Sequence, residues 1–151
     1  MVRQRSILSL ILVLLTTFLI SCGSPSIATA PPTYTPTQLV KIQEYVPDIQ
    51  VVRDRSQELK TLIQSGEWIK VGNFIHGPMA EARLNMTYVI PNLLPQDQSK
   101  ARQITKDLLT HLVKIDQAAA SGNTSLALSN YKEVFADVDK FLQLIPEQSE
   151  S

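Results

Sequence analysis

The chain has 151 residues, with 14 Lys and Arg against 14 Asp and Glu, so its formal net charge is zero. That balance excludes a polyanion partner, because nucleic-acid binding needs a basic surplus that releases counterions. A single cysteine excludes an internal disulfide, so stability has to come from packing.

The amino terminus reads as an export signal. Arg3 and Arg5 give a basic start, Ile7 to Ile20 is a largely apolar run, and small Ser21 precedes Cys22. The run is shorter than the ~20 apolar residues a membrane-spanning helix requires. Leu19, Ile20, Ser21 and Cys22 have the form of a bacterial lipobox, in which cleavage leaves a diacylglyceryl-modified Cys22 as the first mature residue. The competing reading is an ordinary signal cut after Ala28 or Ala30, which would discard Cys22. Residues 1–21 are therefore expected to be removed. Without Arg3 and Arg5, twelve basic side chains face fourteen acidic ones, a net charge of −2.

Residues 22–36 form an expected tether. Pro25, Pro31, Pro32 and Pro36 lie among Ser, Thr and Ala, a composition that favours extended polyproline conformations over a packed core. At ~3.1 Å per residue it could hold the folded part up to about 40 Å from a lipid anchor.

From Thr37 to Pro146 the apolar residues recur at spacings of three and four, which predicts four helices in one domain, followed by a short tail, 147–151. The first carries Leu39, Ile42, Val46, Ile49, Val52, Leu59 and Ile63, and stops at Ser65-Gly66. Pro47 either kinks this helix or marks its regular start. The second runs from Glu67 to about Asn92, with Trp68, Val71, Ile75, Met79, Ala82, Met86, Val89 and Leu93 inward and a bend at Pro78. Trp68, directly after a turn, reads as a core residue or a plug in the hairpin.

Asp97 is the expected cap of the third helix, which carries Ala101, Ile104, Leu108, Leu112, Ile115 and Ala119 and ends at Ser121-Gly122-Asn123-Thr124. The fourth carries Ala127, Tyr131, Val134, Val138, Phe141 and Ile145 before Pro146. Very short loops join the last three helices, which predicts an all-α, up-down-up-down antiparallel four-helix bundle.

Candidate chemistry is sparse. The Cys-x-x-Cys-His, Glu-x-x-His and His-Glu-x-x-His patterns of haem, di-iron and zinc sites are missing, as are a Gly-x-Ser-x-Gly elbow and a phosphate loop. His76 and His111 offer at best a weak shared metal site, at unequal heights on neighbouring helices. Glu81, Asp116, Asp137 and Asp139 read as solvated carboxylates. No cofactor and no small-molecule substrate is expected.

More informative are Lys100, Arg102 and Lys106. They crowd the first turns of the third helix, where the macrodipole disfavours cations by a few tenths of a kcal/mol each. Glu133 and Asp137 repeat like charge four apart on the fourth helix, also at a small cost. These five are candidate docking residues, against the plainer reading of ordinary solvated faces.

Several ordered segments carry a family resemblance. Asn73-Phe74-Ile75-His76-Gly77-Pro78-Met79, Leu93-Leu94-Pro95-Gln96-Asp97-Gln98, Ile115-Asp116-Gln117-Ala118-Ala119, Asn130-Tyr131 and Phe141-Leu142-Gln143-Leu144-Ile145-Pro146 resemble the cyanobacterial PsbQ-like proteins, the CyanoQ group. The resemblance runs from the lipobox to the last helix. It implies a lipid-anchored four-helix bundle on the lumenal side of the thylakoid membrane. It also implies a non-catalytic extrinsic subunit of photosystem II, contacting the core and other extrinsic subunits and supporting the oxygen-evolving complex. Plant relatives have a longer amino-terminal arm, which Cys22 and residues 23–36 replace here. A lipid-anchored metal carrier and an assembly adaptor of the cell envelope are the alternatives that the residues leave open.

Overall fold

The computed structural model describes residues 32–147. The signal motif Leu19 to Cys22 and most of the tether lie outside the described residues. Helix α1 spans Pro36–Asp54 and α2 spans Ser56–Gln64. Helix α3, Trp68–Phe74, passes through a π-helical turn, Ile75–Met79, into α4, Ala80–Val89, and a 3-10 turn at Ile90–Asn92. Helix α5 spans Pro95–Ala120 and α6 spans Thr124–Leu142. Since α1 with α2, and α3 with α4, each form one interrupted rod, the described residues build four rods.

The first rod begins at a capping box. The Thr35 hydroxyl accepts the Gln38 N–H at 3.3 Å, and the Gln38 side-chain oxygen accepts the Thr35 N–H at 2.9 Å. Pro36 occupies the first helical position, where its missing N–H costs nothing. Ahead of the cap, half-buried Tyr34 packs on the core, so the last residues of the proline-rich segment belong to the bundle. Burial pushes the Tyr34 phenol pKa up, opposed by the Leu94 backbone and assisted by the Asp97 carboxylate, which places Tyr34 beside the second inter-rod turn.

Pro47 does not start the helix. It lies inside α1 on the exposed side, where it has no N–H to offer the carbonyl of Gln43, also exposed, one turn earlier. The interruption comes at Arg55, whose N–H is shared between the Val51 and Val52 carbonyls. Its guanidinium makes two hydrogen bonds to Glu58, at 2.8 and 3.1 Å, and lies 5.0 Å from the centre of the Phe74 ring.

The second rod meets Pro78, which has no N–H to offer the Phe74 carbonyl, and passes it as the π-helical turn. At the start of α5 the expected cap is corrected. Leu94 is the capping residue and makes no side-chain bond, Pro95 is first in the helix, and Asp97 sits in the first turn with its N–H on the Leu94 carbonyl at 2.9 Å. Proline's fixed φ starts the helix three residues earlier than a side-chain cap at Asp97 would.

The rods alternate in direction. Tyr45 stacks on Tyr88 at 5.2 Å while Asp48, one turn later, meets Asn85, so α1 and α4 are antiparallel. The hairpin of α5 and α6 places His111 against Asp137. Arg53 of α1 reaches Asp139 of α6 at 3.0 Å and closes the ring of four. The core runs through Ile49, Leu59, Met79, Leu93, Leu108, Ile115, Val138 and Phe141, all fully buried. Each such side chain contributes ~1.5–3 kcal/mol of apolar transfer. The inward face of α5 ends at buried Ala118, with the expected Ala119 half-buried beside it.

Two turns at one end of the bundle share a design. The Glu67 N–H reaches the Leu62 carbonyl and the Gly66 N–H the Ile63 carbonyl, and Asn123 and Gly122 repeat this on Ala118 and Ala119. These are Schellman motifs, which need a left-handed residue, and Gly66 (φ 66°) and Gly122 (φ 65°) supply it. The indole nitrogen of half-buried Trp68 lies 3.8 Å from where a Cβ on either glycine would stand. Trp68 is thus the plug of this end, clamped between the two turns. Because that gap is ordinary contact, alanine at either glycine costs backbone strain alone. Gly66→Ala and Gly122→Ala should each lose ~1–2 kcal/mol, read as a lower urea midpoint with unchanged m-value.

Candidate docking face

The five residues expected to dock do not form one surface. Lys100, Arg102, Lys106 and Glu133 are exposed, and Asp137 is not. At 3.6 residues per turn, Lys100 is turned ~160° away from Arg102, toward the α6 side of α5. Arg102 and Lys106, four apart, share a face. Arg102 donates to the Gln98 side chain at 3.0 Å, and neither cation makes an ion pair among the described residues.

Asp137 is corrected from a docking residue to a core one. Its side chain is 4% exposed; one oxygen lies 2.8 Å from His111 Nδ1 and the other accepts from the Lys140 ammonium at 3.0 Å. The like-charge spacing of Glu133 and Asp137 is tolerated because one of the two is buried with its own partners. The hydrogen bond from Lys140 to Asp137 raises the Lys140 pKa above its ordinary value, and the charges of Asp137, Glu133 and Asp107 add to this. Glu133 therefore belongs to the α5–α6 seam, away from Arg102 and Lys106.

The histidines also separate. His111 is committed to Asp137, whereas exposed His76 lies 3.2 Å from Asp116 across the seam between the second rod and α5. They do not make a common site, and no group of three or more metal-ligating side chains converges among the described residues.

What the fold does bring together is a face between the second rod and α5. Leu109 and Val113 lie there, 43% and 46% exposed, on the same side of α5 as Arg102 and Lys106. Opposite them, the π-helical turn and α4 present His76, Ala80 and Arg83 around a recess of about 140 Å³. Sequence reasoning found Arg102 and Lys106 but missed Arg83, Leu109 and Val113. For the two apolar residues a signal existed, since each directly follows an inward position, at Leu108 and Leu112. For Arg83 there was none, since only the pairing of rods brings it here.

Comparison with known proteins assigns this bundle. The family model PsbQ, oxygen evolving enhancer protein 3, matches residues 2–146. The chain belongs to the PsbQ family. It is 43% identical over 150 residues to CyanoQ of Synechocystis sp. (strain ATCC 27184 / PCC 6803 / Kazusa), covering 99% of this chain and 100% of that protein. Membership of the PsbQ family makes it an extrinsic photosystem II protein, and the all-helical bundle is the fold expected from the resemblance.

For a PsbQ protein, whose surface has to meet other subunits, the two acidic residues of α6 can be told apart by stability. Asp137→Ala leaves His111 and Lys140 without their acceptor and should cost ~1–3 kcal/mol. Glu133→Ala should stay within ~0.5 kcal/mol of the parent. Thermal and urea unfolding of the two variants check this.

Proposed function

We propose that the chain is a lipid-anchored, non-catalytic subunit that docks on the lumenal face of photosystem II and supports the oxygen-evolving complex. Family membership supplies the complex. The observation that carries the rest is a bundle whose interior is filled by side chains and whose polar clusters are satisfied pairs, beside a face of unpaired cations and exposed apolar residues. Such a molecule acts through contact.

Attachment through Cys22 fits the Leu19 to Cys22 motif, and among the described residues no helix is long and apolar enough to cross a membrane. A diacylglyceryl group carries two acyl chains, which suffice for stable anchoring, so the lipid would hold the domain at the membrane and protein contacts would select the partner there. Confinement by the tether raises the effective concentration of a weakly docking domain near its partner. On this reading the bundle covers lumenal loops and neighbouring extrinsic subunits and limits exchange of solvent and ions at the manganese cluster, without binding manganese itself.

Affinity purification of the carboxy-terminally tagged protein from detergent-solubilised thylakoids tests the reading. Photosystem II subunits should copurify, and the amino-terminal peptide should carry the mass of a lipidated Cys22. Cys22→Ser should abolish that mass and move most of the protein to the soluble lumenal fraction. An intact, lipidated preparation free of photosystem II subunits would overturn the reading.

A further inference from the structure

The face between the second rod and α5 also says what kind of partner it suits. Arg102, Lys106, Leu109 and Val113 stand at i, i+4, i+7 and i+11, a single stripe along ~16 Å of helix. Its two halves differ. The amino-terminal half is cationic, and Arg83 of the second rod, which lines the recess across from Leu109 and Val113, adds a third cation without an ion pair among the described residues. The carboxy-terminal half is apolar and borders the recess of about 140 Å³, closed at its far end by His76 and Asp116.

None of this helps the isolated fold. Arg102 and Lys106 repel at i, i+4 by a few tenths of a kcal/mol. Leu109 and Val113 leave apolar surface in water. The one carboxylate that lines the recess, Asp116, stands at its far end beside His76.

We propose that this stripe receives an acidic, amphipathic segment of another photosystem II subunit. This rests on the reading of the chain as an extrinsic subunit. The segment places one apolar side chain in the recess, which is close in size to a cavity that holds benzene, ~150 Å³. Its carboxylates meet Arg83 beside the recess and, about two turns along its axis, Arg102 and Lys106. A protein segment suits this layout better than a lipid surface. Headgroups would match cations ringing an apolar tip, whereas here cations and apolar residues succeed one another along a groove.

The test uses full-length lipidated protein and photosystem II particles depleted of the endogenous subunit, in a binding titration. Arg102→Glu with Lys106→Glu should weaken binding at least tenfold and flatten its salt dependence. Leu109→Ser with Val113→Ser should weaken it by a similar factor with the salt dependence kept. Lys132→Glu, an exposed change on α6, should bind as the parent does. All the altered residues are exposed, so circular dichroism should show parental folding.

A photo-crosslinking amino acid at position 109 should capture a peptide of one photosystem II subunit that carries carboxylates within two turns of the crosslink. Parental binding with no effect of the face variants would overturn this inference alone, and so would capture of lipid or of a second copy at position 109. Failure of the parent protein to bind the particles would overturn the functional reading as well.

Discussion

Pro78 is the constraint on which most of the bundle's particulars depend. A helix in the second position has to run past a residue with no N–H, and it does so by widening into a π-helical turn at Ile75–Met79. The widening keeps both halves of the rod facing the core: Val71 and Phe74 before it, Ile75 and Met79 within it, Ala82 and Met86 after it. The neighbouring rod is interrupted at the same level. Arg55 closes α1 and lies over Phe74, and Arg55, Gly77 and Pro78 line one shallow cleft. On its other flank the π-helical turn sets His76 against Asp116 and begins the recess that Ala80 and Arg83 continue. A π-helical turn at a residue that lacks its N–H thus borders both seams of the second rod.

Pro78 marked an irregularity in the second rod, but its π-helical form was not legible in the spacing. The inward residues of the second rod advance by four and again by four, Val71 to Ile75 to Met79, then by three and four alternately from Met79 to Leu93. The same two fours occur at Ile104, Leu108 and Leu112 in the unbroken α5, so the spacing does not distinguish a π-helical turn from a regular helix. The four stripes were legible because apolar burial imposes its period whatever the local propensity. Caps were less so. Thr35 and Gln38 have the form of a capping box, yet the proline-rich composition around them drew the eye to a tether, and Pro95 displaced Asp97 by fixing the helix start with its ring.

Asp137 failed as a surface residue for a more general reason. A carboxylate is almost always exposed unless it is paired. Of its partners, Lys140 is three residues away and visible on a helical wheel, but His111 comes from another rod, 26 residues distant. The pairing of α5 with α6 decides the matter, and periodicity alone does not give the rotation of one rod against another. Lys100 missed the face through simpler geometry. Charges clustered in sequence are scattered by a 100° step per residue, so Arg102 keeps company with Lys106 and Lys100 does not.

The chain treats its charges in two distinct ways, and this separates the parts that fold from the parts that act. Where a charge is buried or spans two rods it is paired: Asp137 with His111 and Lys140, Arg53 with Asp139. Along the face of Arg83, Arg102 and Lys106 it is not, although a carboxylate at an adjacent helical position would have relieved the repulsion within α5. An exposed pair of that kind would have added only a few tenths of a kcal/mol. It would also have neutralised a surface where cations border exposed leucine and valine. Keeping the face unpaired therefore costs the fold little, while a partner that buries it gains charge-assisted hydrogen bonds and apolar contact together. Stability resides in the stripes and the paired interior, and recognition resides in the residues the interior leaves over.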